Sequence, residues 1–214
     1  MSHTMSTDMT PDMTNAGSNS AKRPTNRPAK AQEIISIAQS LIQNRGYNGF
    51  SFRDVAEAVG IKSASIHYHF PTKSGLVKEI IADYRATFQQ GLDEIDARNL
   101  PGLEKLEAYA GLFENTLRTQ GCVCLAGILA TEVGSLDEEV RVAVDGFFAE
   151  QDRWLENAVR RGQGEGNIKP DIDAKAFPPA FVSGLEGAMI IARNKGSLDY
   201  LANAAAHYLN MIKI

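Results

Sequence analysis

Phe50 to Phe70 reads FSFRDVAEAVGIKSASIHYHF, and this stretch predicts two short helices meeting at a sharp turn. Three residues carry the prediction. Ala56 is small enough for two helices to cross closely. Gly60, four positions on, can adopt the left-handed backbone that a tight turn needs. Ile66 lies six further along, where the second helix has to point an apolar side chain back at the first. Ala, Gly and a branched aliphatic at that spacing describe a helix-turn-helix, whose second helix lies in a DNA major groove. An ordinary helical hairpin inside a bundle is the alternative reading of the trio.

Outward from this core the chain keeps helical periodicity. A first helix is expected from Pro28 to Arg45, with Ala31, Ile34, Ile35, Ala38, Leu41 and Ile42 on one face and Gly46 as its end. Ser51 is placed to cap the second helix, with Asp54 three residues later. The third spans Ser63 to Phe70 and stops at Pro71. Thr72 caps a long fourth helix buried through Leu76, Ile80, Ile81, Tyr84 and Phe88, and Asn99-Leu100-Pro101-Gly102 breaks the chain. Beyond the break come a stripe of Leu103, Leu106, Tyr109, Ala110, Phe113 and Leu117, and then a short helix over 124–133. A long helix follows over 137–161, with Gly162-Gln163-Gly164-Glu165-Gly166-Asn167 expected as a loop. Two last helices lie near 173–194 and 197–212. No stretch alternates at period two for long enough to make a strand, so the expected class is all-α with about nine helices.

The bulk numbers fit a soluble globular protein: 214 residues, 43% hydrophobic and 22% charged. No apolar run approaches the roughly 20 residues that span a bilayer, and the first residues have no apolar core of a secretory signal. The expected location is cytoplasmic. The net charge of −4 divides unevenly, with 10 Lys/Arg against 7 Asp/Glu in residues 1–90 and 12 against 19 in residues 91–214. A basic front suits phosphate contacts, which an acidic remainder does not make. Residues 1–26 are Ser-, Thr-, Asn-, Met- and Pro-rich without periodicity and are expected to be a disordered arm. Lys22, Arg23, Arg27 and Lys30 at its end either follow a phosphate backbone or minor groove, or form a solvated tail.

From Ile34 to Leu76 the chain resembles the TetR family of bacterial transcriptional regulators. The resemblance rests on Gly46, Phe50, Ser51, Val55-Ala56, Gly60-Ile61, Ala64-Ser65-Ile66, His69-Phe70 and Lys73-Ser74-Gly75-Leu76, and more loosely on GCVCLAGILATEV and the helices after it. It implies a DNA-binding head over 27–75 and an effector-binding and dimerisation body over 76–214. It further implies a homodimer on a near-palindromic operator, acting as a repressor that answers to a small molecule. By matching positions Arg53, Lys62, Ser63 and Ala64 face bases, while Ser51, Ser65, His67, Tyr68 and Lys73 face phosphates. His67 stands where the family's usual phosphate-binding Tyr would be, with Tyr68 about 100° further around the helix. Either His67 makes that contact or Tyr68 packs elsewhere.

In the body, Phe88, Tyr109, Phe113, Thr116, Leu129, Phe147, Phe148, Trp154 and Met189 are candidate effector-pocket walls, although stripes at helical spacing also make plain core. Gly184, Gly187, Ala188, Leu201, Ala205 and Tyr208 are candidates for the dimer seam. Pro178-Pro179 is expected to start the eighth helix or bend it. Cys122 and Cys124 are too close for an ordinary disulfide. At a helix start they suit a thiol sensor of oxidants or electrophiles, whereas buried inert thiols are the alternative. His67 and His69 diverge by about 200° on a helix and lack a third ligand, so no metal is expected. No cofactor is expected either. An enzyme is disfavoured, because no nucleophile–base pair stands out and GQGEGN lacks the strand and Lys of a phosphate loop. A structural DNA-binding protein without effector is the remaining rival.

Overall fold

The computed structural model describes residues 27–214. The expected arm over 1–26, with Lys22 and Arg23, lies outside the described residues. Among the described residues there are nine α-helices: α1 (Ala29–Arg45), α2 (Phe52–Val59), α3 (Ser63–His69), α4 (Lys73–Ala97), α5 (Gly102–Gln120), α6 (Leu125–Thr131), α7 (Glu138–Glu165), α8 (Phe177–Lys195) and α9 (Asp199–Ile212). A 3-10 turn over Val133–Ser135 follows α6. The β structure in this region is an isolated antiparallel bridge between Ile168 and Lys213. The class is all-α. No helix among the described residues is long and apolar enough to cross a membrane.

The head is α1 to α3 packed on the start of α4. Its turn has the chemistry read from the sequence. Gly60 sits at φ 73°, ψ 35°, and the Ile61 and Gly60 amides donate to the Ala56 and Glu57 carbonyls. This closes α2 with a Schellman motif, which needs the left-handed conformation glycine adopts without penalty. At the other end of α2, Ser51 and Asp54 form a reciprocal capping box, satisfying two amides that the first turn leaves unpaired. Ile66 is fully buried, in the same core as Val55 and Ala56 of α2, as the crossing of α2 and α3 requires. Thr72 caps α4 by accepting from the Gly75 amide at 3.0 Å. That helix then runs 25 residues without a break through the expected domain boundary at 75/76.

The body is α4 to α9, with α5 against α7 and α8 against α9 as its most extensive pairings. One expectation is corrected here. Residues 162–165 are not loop: α7 continues to Glu165 and ends at Gly166, which takes φ 75°. Gly162 is there for packing. A Cβ on Gly102, at the start of α5, would lie well inside contact with the Gly162 backbone and the Ala158 carbonyl. α5 can therefore begin only where α7 offers a bare backbone. Pro178 and Pro179 fall in the first turn of α8, where their missing amides cost nothing.

Candidate nucleic-acid interface and body cleft

On α3 the buried side chain is Ile66, and Lys62, Ser63, Ala64, Ser65, His67 and Tyr68 all face outward. Arg53, the second residue of α2, is exposed and has no ion-pair partner among the described residues. His67 rests edge-on against the Phe52 ring at 4.8 Å. Tyr68 does not pack into the head: it is 85% exposed, touching only the His69 ring at 5.2 Å among ring contacts. A phenol left that far in water keeps its hydroxyl free to donate. His69 is half-buried between Tyr68 and Phe70. Among the described residues no group of three or more His, Cys, Asp or Glu is placed to hold a metal ion.

Several sequence expectations need correction at this face. Lys73 is not a free phosphate ligand. Its Nζ donates to the Tyr47 carbonyl at 2.6 Å and the Phe50 carbonyl at 2.7 Å, and lies over both rings. Burial pushes its pKa down. It clips the α1–α2 loop onto α4. The Ser51 hydroxyl is engaged with Asp54, and these bonds hold the Asp54 carboxyl below its usual range. Arg27 is paired with Glu79 and Asp83 of α4, and Lys30 with Glu33, so neither is an unattached arm cation.

The expected pocket aromatics are mostly core. Phe88, Tyr109, Phe113 and Phe147 pack ring to ring at centroid separations of 5.3 to 6.4 Å, with Trp154 stacked on Tyr109 at 5.9 Å. Tyr109 is fully buried and its hydroxyl donates to Gln151. Leu129 and Met189 are buried in the same core, Thr116 donates to the Leu112 carbonyl, and the Trp154 indole donates to Asp96. Only Phe148 of the nine lines a mainly apolar cleft, one of several in the body. This cleft, of about 460 Å³, lies between α6, α7 and α8 and is walled by Gly127, Ala130, Thr131, Phe148, Asp152, Pro179, Val182, Ser183, Glu186 and Ile190.

At its back stands Glu186, which the periodicity reading passed over. Neither carboxylate oxygen is exposed, and no nitrogen or hydroxyl donor reaches either. Burial raises the Glu186 pKa to about 7, offset only in part by the Cys124 thiol beside it. Gly127 leaves the room: a Cβ there would collide with the carboxylate. The sequence signal was available, since Glu186 is the single charge in the apolar run FVSGLEGAMII. The same neighbourhood answers the cysteine question. Cys122 and Cys124 are free and buried. Burial raises both thiol pKa values, and the Glu186 charge raises that of Cys124 further. A sensor thiol needs the opposite surroundings.

Head and body meet at the end of α1. Glu132, just past α6, accepts from the Tyr47 amide at 2.7 Å, the Asn48 amide at 3.0 Å and Asn48 Nδ2 at 2.7 Å. Gly46 bends there at φ 82°, and a side chain on it would strike that carboxylate. Arg193 of α8 donates to the Gln43 carbonyl at 3.0 Å and Asn44 Oδ1 at 2.7 Å, and Gln43 donates to the Val123 carbonyl at 2.8 Å. Two of the three helices that wall the cleft, α6 through its C-cap Glu132 and α8 through Arg193, thus also hold the head.

The expected dimer residues divide. Gly184 makes room for Tyr208 of the same chain, and Leu201 is buried within it. Ala188, Ala205 and Tyr208 pack on the chain's own core. Gly187 is exposed with open space around it. The apolar side chains that α8 and α9 leave in water are Ile190, Ile191, Tyr200 and Met211.

Comparison with known proteins agrees with this architecture. The family model described as "Bacterial regulatory proteins, tetR family" matches residues 34–80, and that described as "Tetracyclin repressor-like, C-terminal domain" matches residues 102–208. Among curated relatives, the HTH-type transcriptional repressor KstR2 of Rhodococcus jostii is 33% identical over 192 residues, covering 75% of this chain and 93% of that protein. The HTH-type transcriptional repressor DhaR of Mycobacterium sp. is 23% identical over 172 residues, covering 78% and 86%. The crystal structure of a TetR-family regulator from Agrobacterium tumefaciens superposes with a TM-score of 0.83 at 33% identity, covering 86% of this chain and 98% of that one. With helix-turn-helix head and helical body both matched in sequence and in fold, the chain belongs to the TetR family of bacterial regulatory proteins.

Proposed function

We propose that the protein is a homodimeric transcriptional repressor that binds a near-palindromic operator and releases it when a small molecule enters the body. The observation that carries this reading is the outward face of α3, where Lys62 to Ser65, His67 and Tyr68 are exposed around the buried Ile66 anchor. In a helix-turn-helix the first residues of this helix meet base edges. Ala64 offers a methyl to a thymine, Lys62 and Ser63 offer donors, and Arg53 can grip a guanine in bidentate fashion. Tyr68 supplies the phosphate contact through its projecting hydroxyl, one position beyond the family's usual site. That the relatives DhaR and KstR2 are transcriptional repressors favours negative control.

Ile191, Tyr200 and Met211 mark the dimer face, since apolar side chains left exposed on two helices that pack together are what a second copy covers. Release follows from the shared walls. A ligand between α6 and α8 changes their spacing, and through Glu132 and Arg193 that spacing sets where α1 holds the head. A repressor needs its two reading helices about one DNA turn apart, roughly 34–36 Å, or a multiple of it. The cleft favours this reading over an effector-independent structural DNA-binding protein. The deeply buried, high-pKa cysteines give no support to a thiol sensor.

Competition binding to the promoter DNA upstream of the protein's own gene tests the reading. Arg53→Ala is expected to lose about 1–3 kcal/mol and relax specificity at one base pair per half-site. Tyr68→Phe is expected to lose about 0.5–1.5 kcal/mol on every sequence with unchanged thermal stability. Sequence-independent losses at Arg53, or no loss at Tyr68, contradict these roles.

A further inference from the structure

The cleft in the body holds acid and no base. Of its ten wall residues, Asp152 and Glu186 are carboxylates, none is Lys, Arg or His, and Phe148, Pro179, Val182 and Ile190 supply apolar surface. The Glu186 carboxylate is buried at the back without a nitrogen or hydroxyl donor, whereas the other buried polar side chains among the described residues have found partners. A buried polar group without a partner costs stability, and such groups persist where something binds them. The groups facing it are themselves acids or weak acids: Tyr84 from α4, Tyr109 from α5, Cys124 at the start of α6, and Asp152 on α7 across the cleft. None brings positive charge.

We propose that this cleft binds a small organic cation, an alkyl- or arylammonium whose charged head is held by Glu186 with Asp152 and whose apolar body lies against Phe148, Val182 and Ile190. The proposal deepens the repressor reading, since it names the chemical class of the effector. An anionic ligand would meet two carboxylates, and a neutral apolar one would leave Glu186 unanswered. An ammonium gives the carboxylate the charge-assisted bond it lacks. At about 460 Å³ the space fits a molecule of drug-fragment size.

The test uses the full-length protein and n-hexylamine, with n-hexanol and hexanoate as neutral and anionic controls, in isothermal titration. At pH about 8.5 Glu186 is ionised and an alkylamine, resembling a lysine side chain, is still protonated. The amine is then expected to bind, and neither control to match it. Lowering the pH to about 5.5 is expected to weaken amine binding by at least about tenfold, because Glu186 takes up a proton. Glu186→Gln is expected to weaken binding by more than about tenfold at the higher pH and to flatten the pH dependence. Asp152→Asn, which leaves the back of the cleft intact, is expected to weaken it less. Equal binding of hexanol and hexylamine, or binding untouched by Glu186→Gln, overturns the proposal. If the protein binds its operator but no amine, the ligand class is wrong and the repressor reading stands. If it binds the amine but no DNA, the repressor reading falls and the cation site survives.

Discussion

Replacing Glu186 by Gln should stabilise the unliganded protein, and by an amount that depends on pH. The ordinary glutamate value is 4.5, and burial raises it to about 7 in the fold. The difference, near two and a half pH units, corresponds to about 3 kcal/mol at roughly 1.4 kcal/mol per unit. The sign follows from proton counting. Between 4.5 and 7 the folded chain holds a proton at this site that the unfolded chain has released, so stability falls as pH rises through that window. Below it the site contributes fully; above it the loss is complete. Gln keeps the shape and cannot ionise. The variant should therefore match the parent below pH 4.5 and exceed it above pH 7 by about 2–3 kcal/mol. For a chain of this size that is roughly 4–12 °C in Tm. Thermal denaturation of both proteins across the window measures the difference directly, and terms common to both cancel. Parallel curves at every pH, or a variant less stable than the parent above neutrality, would refute an unpaired buried carboxylate at this position.

Two further perturbations separate structural roles from binding ones. Lys73→Ala removes the clip on the Tyr47 and Phe50 carbonyls and should lower stability by about 1–3 kcal/mol. The salt dependence of DNA binding should keep its slope in that variant, whereas losing a phosphate contact would flatten it by about one unit. Gly102→Ala drives a methyl into the α7 backbone at Gly162 and Ala158 and should cost at least about 1–3 kcal/mol, read by urea denaturation.

The head was legible because its rules are local. A glycine at a left-handed turn, a Ser and Asp three apart, and one small and one branched apolar residue fix α2, α3 and their crossing within about twenty residues. The body was legible as helices but not as a site. GQGEG looked like a loop because glycine is poor in helix interiors, and the compensating contact with Gly102 lies sixty residues away. Gly184 looked like a dimer position because small residues permit close approach, but sequence does not say whether the neighbour, here Tyr208, belongs to the same chain. The aromatic stripes of α4, α5 and α7 were read as pocket walls, yet core and lining have the same periodicity. What distinguished the cleft was a charge in an apolar run, Glu186, and periodicity averages such a residue away.

The central claim is that α3 lies in the DNA groove, and Ser65→Glu tests it most directly. Ser65 is exposed on α3, so the substitution leaves the head core intact. A carboxylate there would face phosphates and base edges, and operator affinity measured by fluorescence anisotropy should fall by at least about a hundredfold with Tm unchanged. A folded Ser65→Glu protein that binds its operator as tightly as the parent would mean that another surface meets the DNA.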